Sequence, residues 1–285
     1  MKNFFLKSLK YFITSIIVVL LATASIDAVD HRDDISESLI GRIILGESNS
    51  KCPSDMVFVQ ASWGDFCIDK YEVSASTNCP FSNPTNLSES TANIDNPNCH
   101  AISKEENIPW ANISQNQAYY ACVKEGKRLP SNKEWSVAAL GTPDLDNGWG
   151  ENDCQVSENW LNQPGFTGSG KNCYSFSGAY DMVGNVWEWV DGSVEEGEFA
   201  YRELPEAGYV NGINPDDAFP SETSNTPDEM YKNDYVWIKN TKTRTIARGG
   251  YYNNKEEAGQ YTHYIVSTPT ETSNATGFRC VKNPN

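Results

Sequence analysis

The chain has 285 residues, a formal net charge of -16 and 39% hydrophobic residues. This length is enough for a real hydrophobic core, in one large domain or two small ones. The acidic charge disfavours attraction to nucleic acid phosphates, so we expect no nucleic acid partner.

Residues 1–24 have the pattern of an export signal. Lysines precede an apolar run from Tyr11 to Ala22, and Ala22-Thr23-Ala24 supplies the small residues that signal peptidase requires. The run is short for a membrane span. An uncleaved anchor is the alternative, and it is the one membrane contact we expect. We predict a linker over residues 25–50 and a folded domain over residues 51–285, placed outside the cell or on its surface.

All eight cysteines follow this segment. An even number of cysteines in an exported chain favours disulfides. Zinc is not expected, because the chain has no CxxC pair and no His/Cys cluster. The sequence alone does not fix the pairing. Closure of short loops favours Cys52 with Cys67, Cys79 with Cys99 and Cys154 with Cys173, which leaves Cys122 and Cys280.

The first predicted elements are a hairpin and a loop. Met56–Gln60 and Phe66–Tyr71 are rich in β-forming residues, and the turn-forming residues between them are typical of a hairpin. Asn78–Asn98 consists largely of Asn, Ser, Thr and Pro and contains one cysteine. We therefore predict a disulfide-held loop there and no regular element.

Two helices are predicted next. Ser114 is a good N-cap for a helix that Gly126 ends. Ser131 and Glu134 have capping-box spacing ahead of a second helix, which Gly141 ends. From there to about Asn233 the sequence has little periodicity, so we expect long loops on a scaffold. Strands are then predicted at Tyr235–Ile238, Thr243–Arg248 and Gly277–Val281.

Catalytic arrangements are few. The three histidines are far apart in the sequence and are each predicted to be ordinary surface residues: His31, His100 and His263. A histidine metal site or a Ser-His-Asp site is therefore not expected, and no catalytic residue is assigned. A glycosidase-like carboxylate pair stays open, because the separation of two carboxylates is a spatial quantity.

Gly178–Trp189 reads GAYDMVGNVWEW and has an unusual density of Gly, Trp and acidic residues. Gly184 and Asn185 favour a turn with positive φ, and Trp187–Val190 alternates as a strand does, so Glu188 faces away from both Trp rings. A carboxylate beside such a bend suits a hard cation such as calcium. A buried Trp pair with a solvated Glu is the alternative.

The stretch from Arg248 to Cys280 is dense in Tyr, Asn, Thr and Ser between two arginine motifs. This composition is typical of recognition surfaces, because Tyr provides rigid contact area and Asn or Ser provides adaptable hydrogen bonds. The alternative is a hydrophilic hairpin that binds nothing.

Three motifs, GKRLPSNKEW from Gly126, GAYDMVGNVWEW, and RGG with GFRC, together resemble the formylglycine-generating enzyme, or sulfatase-modifying factor, family. The resemblance covers about Met56 to Lys282. It implies an α+β, C-type-lectin-like fold with little regular secondary structure and long loops. It also implies a disulfide between Cys122 and Cys280. A structural calcium site is implied on the carbonyls of Asp181, Gly184 and Val186 and the carboxylate of Glu188.

The chain departs from the family at the site of its oxidase activity. The resemblance implies copper catalysis by two cysteines that lie shortly after the Arg-Gly-Gly. Here no cysteine lies between Cys173 and Cys280, and the first of those positions falls at about Asn254. An amide does not replace a thiolate as a copper ligand. Copper is therefore not expected, and the oxidase activity is not transferred.

The last stretch resembles more closely the variable proteins of diversity-generating retroelements, which share this fold and bind ligands through their C-terminal region. In those proteins the diversified positions form the ligand-binding face, and the similarity predicts such a face here made of Tyr251, Tyr252, Asn253, Asn254, Tyr261, Thr262, His263 and Tyr264. The leading hypothesis is an exported, non-catalytic protein that binds a protein or glycan. The alternatives are a formylglycine-type oxidoreductase with an altered site and a structural envelope domain.

Overall fold

The computed structural model describes residues 51–145 and 147–285. The predicted export signal, the linker and His31 lie outside these ranges. Within the described residues, no helix combines the length and apolar character needed to cross a membrane. The strands are β1 (Met56–Val59), β2 (Phe66–Asp69), β3 (Val73–Ala75), β4 (Ala101–Ser103), β5 (Trp187–Glu195), β6 (Glu198–Phe199), β7 (Arg202–Glu203), β8 (Gly208–Ile213), β9 (Pro220–Ser224), β10 (Tyr235–Ile238), β11 (Thr243–Arg248), β12 (His263–Ile265), β13 (Thr276–Phe278) and β14 (Val281–Lys282). The helices are α1 (Leu87–Asp95), α2 (Gln115–Lys124) and α3 (Asn132–Ala139), with a 3-10 turn at Lys255–Glu257.

The main sheet has the strand order β7-β6-β5-β11-β12-β10-β8-β9, with β13 added in parallel beside β5. Strands β10 and β12 also pair in parallel. A smaller sheet has the order β1-β2-β14, and β3 pairs with β4. Because β14 is the last strand of the chain, the C-terminus closes the domain against its first hairpin.

The main sheet has apolar residues on both faces, and the two sides pack against different helices. Trp135 of α3 belongs to one cluster, together with Val190 of β5. The other cluster joins helix α2 to Trp187 and Trp189 of the same strand. Alternation along β5 therefore places Trp and Val residues on opposite sides, as a strand requires.

Several predicted elements are confirmed. Helices α2 and α3 begin at Ser114 and Ser131, each with a complete capping box. The first hairpin and strands β10 and β11 are present. The predicted turn at Gly184 and Asn185 has φ values of 81° and 54°. The three disulfides that short-loop closure favours are present, and the remaining cysteines form the long fourth one, Cys122 with Cys280, as the family resemblance implies.

Three predictions about secondary structure are wrong. Helix α1 lies in the predicted loop, because Asn86 caps it and its inward residues are polar: Ser90 accepts a hydrogen bond from Trp110. The predicted long loop region contains strands β6 to β9, and β5 extends the strand predicted at Trp187–Val190 as far as Glu195. The predicted last strand is two strands, β13 and β14, which belong to different sheets.

Candidate functional site

Aromatic rings form a continuous patch on one side of the main sheet. Neighbouring ring centroids lie 4.7 to 6.5 Å apart, from Tyr209 at one end to Tyr252 at the other. Six of the seven rings are partly exposed, and Trp187 is the buried one beneath them. We call this patch the aromatic face; it consists of Tyr209, Tyr235, Trp237, Trp187, Tyr264, Tyr251 and Tyr252.

Strand pairing places these rings side by side. Tyr209 of β8 is the cross-strand partner of Tyr235 in β10. Trp237, two residues further along the same face of β10, is the partner of Tyr264 in β12. Side chains opposite each other on one face of a sheet are close enough to contact, and aromatic pairs at such positions stabilise the sheet. The centre of the face is therefore built on strands β8, β10 and β12.

The loop after β11 completes the face and is fixed by close backbone contacts. Gly249 has a φ of 86°, and a Cβ there would lie 2.6 Å from the carbonyl oxygen of Met182. The Gly249 carbonyl accepts a hydrogen bond from the Gly184 amide. The amide of Tyr252 donates to the Asn185 carbonyl at 3.1 Å. The GAYDMVGNVWEW bend thus supports the loop that presents Tyr251 and Tyr252.

The predicted ligand-binding residues divide into two groups. Tyr251, Tyr252 and Tyr264 belong to the aromatic face, and Asn253 is exposed next to it. Asn254 has a structural contact, because its side-chain oxygen accepts the Tyr251 amide at 2.9 Å. Tyr261 packs edge-on against Tyr231.

Thr262 and His263 were predicted to lie on the face, but the structure places both side chains in the interior, fully buried. The Thr262 hydroxyl donates to the Glu257 carbonyl at 2.6 Å. His263 stacks on Phe219, and burial holds its pKa well below the ordinary value. It is therefore not the surface histidine that the sequence suggested, whereas His100 is exposed and pairs with Glu125.

Sequence reasoning missed Tyr209, Tyr235 and Trp237 as members of the face. The signal was present in the run YVWI at Tyr235–Ile238, where two aromatic residues alternate with two aliphatic ones. Such alternation indicates a strand with one aromatic side. The strand order decides which other residues lie on that side, and a local sequence pattern does not give the strand order.

Glu188, the predicted calcium ligand, lies on the opposite side of β5 from the Trp rings. Its two oxygens form a bidentate ion pair with Arg279, at 2.7 and 2.5 Å. The indole of Trp135 donates to the same carboxylate at 2.7 Å. Both groups of the ion pair are fully buried.

These contacts test whether the residues at the bend fit calcium. The Glu188 carboxylate does not fit as a calcium ligand, because a guanidinium already neutralises it and uses both of its oxygens. Among the described residues, no group of three or more His, Cys, Asp or Glu side chains is arranged to hold a metal ion. Calcium binding through the carbonyls of Asp181, Gly184 and Val186 stays a prediction from the resemblance.

Two further buried carboxyl groups lie near the ion pair. Glu72 accepts hydrogen bonds from the side chain of Asn185 and the amide of Val186. Asp181 accepts the amide of Gly168 at 2.6 Å. Burial raises the pKa of Asp181 to about 7 and that of Glu72 well above its ordinary value. These groups hold the bend in place and face the interior, away from the aromatic face.

No thiol is present for redox or copper chemistry. The four disulfides use all eight cysteines of the chain, and none is free. Disulfide sulfurs lack the thiolate that acts as nucleophile and metal ligand. The guanidinium of Arg248, which precedes the loop, is used within the protein. It stacks on Trp135 and donates hydrogen bonds to Asn132, Ser136 and backbone carbonyls.

Comparison with known proteins identifies the family to which the chain belongs. The family model of the sulfatase-modifying factor enzyme 1-like domain matches residues 41–284. The bovine (Bos taurus) protein named inactive C-alpha-formylglycine-generating enzyme 2 is 29% identical over 153 residues, which cover 46% of this chain and 50% of that protein. The formylglycine-generating enzyme of Thermomonospora curvata is 30% identical over 105 residues, covering 31% of this chain and 35% of the enzyme. The chain thus spans about half the length of the bovine relative.

Solved structures with a similar chain course include two variable or variant proteins. The Major Tropism Determinant I1 variant has a TM-score of 0.45 and 14% identity, over 81% of this chain and 53% of its own. Treponema denticola variable protein 1 has a TM-score of 0.43 and 15% identity, over 80% of this chain and 91% of its own. The family match and the mixture of three short helices with many strands confirm the predicted α+β, C-type-lectin-like fold.

Proposed function

The chain belongs to the sulfatase-modifying factor enzyme 1-like domain family, and we propose that it is an exported, non-catalytic protein that binds a protein or glycan through its aromatic face. The observation that carries this proposal is the aromatic face itself, six partly exposed rings over one buried Trp. Clustered exposed aromatic residues mark interaction sites, because they are costly to leave in water. Tyr and Trp are also the residues that most often dominate binding energy at interfaces.

The cysteines support the non-catalytic part. Formylglycine-type oxidation, as the resemblance describes it, requires two thiols after the Arg-Gly-Gly, and Asn254 stands at the first of these positions. Its amide is used to hold the Tyr251 backbone. The disulfides also support export, since they persist mainly in oxidising compartments.

Binding through the face is tested with arrays of glycans and of extracellular protein domains, probed with the wild-type chain. We expect a ligand whose binding weakens at least about tenfold in Tyr252→Ala and in Trp237→Ala, as for interface hot spots. Tyr120→Ala is the matched control, because Tyr120 is 62% exposed on helix α2. Equal binding by all variants would refute the face as the binding site.

The oxidoreductase alternative has its own assay. The chain is incubated with copper or iron and a cysteine-containing peptide, and the peptide is analysed by mass spectrometry. We expect no formylglycine product, because no free thiol is present. A product that depends on the metal would overturn the non-catalytic proposal even if the aromatic face also binds a ligand.

A further inference from the structure

A second potential site is a cavity of about 700 Å³ that shares no residue with the aromatic face. It lies where four segments meet: residues 83–85 before α1, residues 108–112 before α2, residues 162–166, and Asn274 before β13. Its volume is in the range of small-molecule binding sites, which is about 300 to 1,000 Å³. We call it the amide pocket.

The lining of the amide pocket is uncharged and combines polar side chains with apolar ones. None of its eleven lining residues is Asp, Glu, Lys, Arg or His, although the chain has 60 Asp, Glu, Lys and Arg residues (38 + 22). Five of the eleven have a carboxamide side chain and one has a hydroxyl group. These six residues are Asn83, Thr85, Asn112, Asn162, Gln163 and Asn274.

Hydrogen bonds hold the walls of the pocket in place. The Asn112 side chain donates to the Pro84 carbonyl at 3.1 Å, which joins the first two segments. The Asn112 amide donates to the Ser273 carbonyl at 2.9 Å, next to Asn274. On the opposite wall, Asn162 accepts a hydrogen bond from Gln155 through its backbone carbonyl. The side chains of Asn162 and Asn274 are not used in these contacts and are exposed.

An exposed ring extends the pocket into a groove. Phe166 is 47% exposed and lines the amide pocket. Phe166 and Asn162 also line a second cavity of about 430 Å³, together with Trp160 and two glutamates, Glu151 and Glu158. The two cavities thus share one wall, which has both an aromatic ring and a carboxamide.

The geometry points to a binding site for a neutral oligosaccharide. Carboxamides place donors and acceptors side by side, which suits sugar hydroxyl groups that are themselves donors and acceptors. The Phe166 ring provides the apolar platform on which the C–H face of a sugar can rest. An anionic ligand would lack a counter-ion in the amide pocket and would meet Glu151 and Glu158 in the adjoining cavity. A wholly apolar ligand would leave the carboxamides unpaired, which is costly.

The saccharide can come from a partner or from this chain itself. Asn112 and Asn274, as well as Asn86 nearby, stand in N-x-Ser/Thr frames. The protein is therefore made in two forms, one from a bacterial host that adds no N-glycans and one from a glycosylating host. Binding to both forms indicates a partner's glycan, whereas binding to the unglycosylated form alone indicates that an attached glycan fills the pocket.

The probes are maltotriose, cellotriose, chitotriose and mannotriose, measured by saturation-transfer NMR with the unglycosylated chain. We expect at least one trisaccharide to bind, and binding to weaken about tenfold in Phe166→Ala. Gln163→Ala is a second variant that removes a carboxamide and leaves the ring in place. Phe176→Ala, at a phenylalanine that is 90% exposed elsewhere, and Asn98→Ala, at another exposed position, are the matched controls.

Tyr252→Ala separates this site from the aromatic face, since trisaccharide binding should not change in that variant. The inference is overturned if none of the four trisaccharides binds. It is also overturned if Phe166→Ala and Gln163→Ala bind as tightly as the controls, or if a sulfated trisaccharide binds more tightly than its neutral counterpart. None of these outcomes depends on whether the aromatic face has a ligand.

Discussion

The two sides of strand β5 differ: the charged groups on one side are buried and paired, and the aromatic rings on the other side are partly exposed. On one side, Glu188 and Arg279 are fully buried and satisfy each other. On the other side, Trp187 supports a patch of partly exposed rings with no covering element among the described residues. The charged groups of the first side are paired within the protein, whereas the rings of the second side keep exposed surface that a ligand can contact. The contrast indicates that the buried ion pair stabilises the fold, whereas the partly exposed rings are available for binding.

The largest expected effect is on the charged side. Arg279→Met removes the cation that neutralises Glu188 and leaves that carboxylate buried without its partner. Breaking a buried ion pair costs about 3–5 kcal/mol, so we expect the free energy of unfolding to fall by about that amount in urea titrations. Arg128→Met is the control, because its pair with Glu134 is partly exposed, with Arg128 at 43%. Similar losses in both variants would contradict the special role of the buried pair.

The second effect is a pH dependence from the same side. Burial raises the pKa of Asp69 to about 6, although Lys127 at 2.6 Å opposes the rise and Asp55 lies near it. Between its unfolded pKa near 3.8 and about 6, the native carboxyl group therefore binds more protons than the unfolded one. Stability from this group falls as the pH rises through that window.

The measurement is the urea midpoint from pH 4 to pH 7 for the wild type and for Asp69→Asn. Other buried acids such as Glu72 and Asp181 contribute in the same direction, so the difference between the two proteins isolates Asp69. We expect a flatter pH profile in the variant. Parallel profiles would show that Asp69 does not titrate in this range.

A smaller effect on stability is expected for an exposed ring of the aromatic face. Tyr252 is partly exposed and contacts Tyr251 only at its edge, so Tyr252→Ser should change the free energy of unfolding by about 0.5 kcal/mol or less. Trp189→Ala, on the same side but fully buried, should cost about 3–5 kcal/mol. Thermal unfolding of the two variants checks this. A large loss in Tyr252→Ser would mean that the face is part of the core.

The elements that short sequence patterns specify were predictable from the sequence. The capping box of Ser131 and Glu134, the positive φ at Gly184 and the strand at Tyr235–Ile238 all follow from short-range chemistry. Helix α1 was missed because its buried side chains are polar and have partners far away in the sequence: Asn93 bonds to Phe81.

The candidate site was only partly predictable for the same reason. The composition after Arg248 indicated Tyr251 and Tyr252, but Tyr209 joins them through a strand order that no local pattern contains. His263 was expected at the surface, yet β12 lies between β10 and β11, and the pairing turns that side chain into the core. Burial in the middle of a sheet depends on the strands on both sides.

The smallest expected effect is that of a chelator. The calcium prediction for the GAYDMVGNVWEW bend requires the melting temperature to fall in EDTA, because a ligand that binds the native state stabilises it. The buried Arg279 offers a different account, in which a guanidinium supplies the positive charge at Glu188. If the arginine takes the place of the cation, the melting temperature measured by calorimetry is the same in EDTA and in calcium, whereas a fall in EDTA supports calcium at the carbonyls. Arg279→Met adds the sharper comparison: if calcium stabilises that variant and not the wild type, then the arginine and the cation compete for one carboxylate.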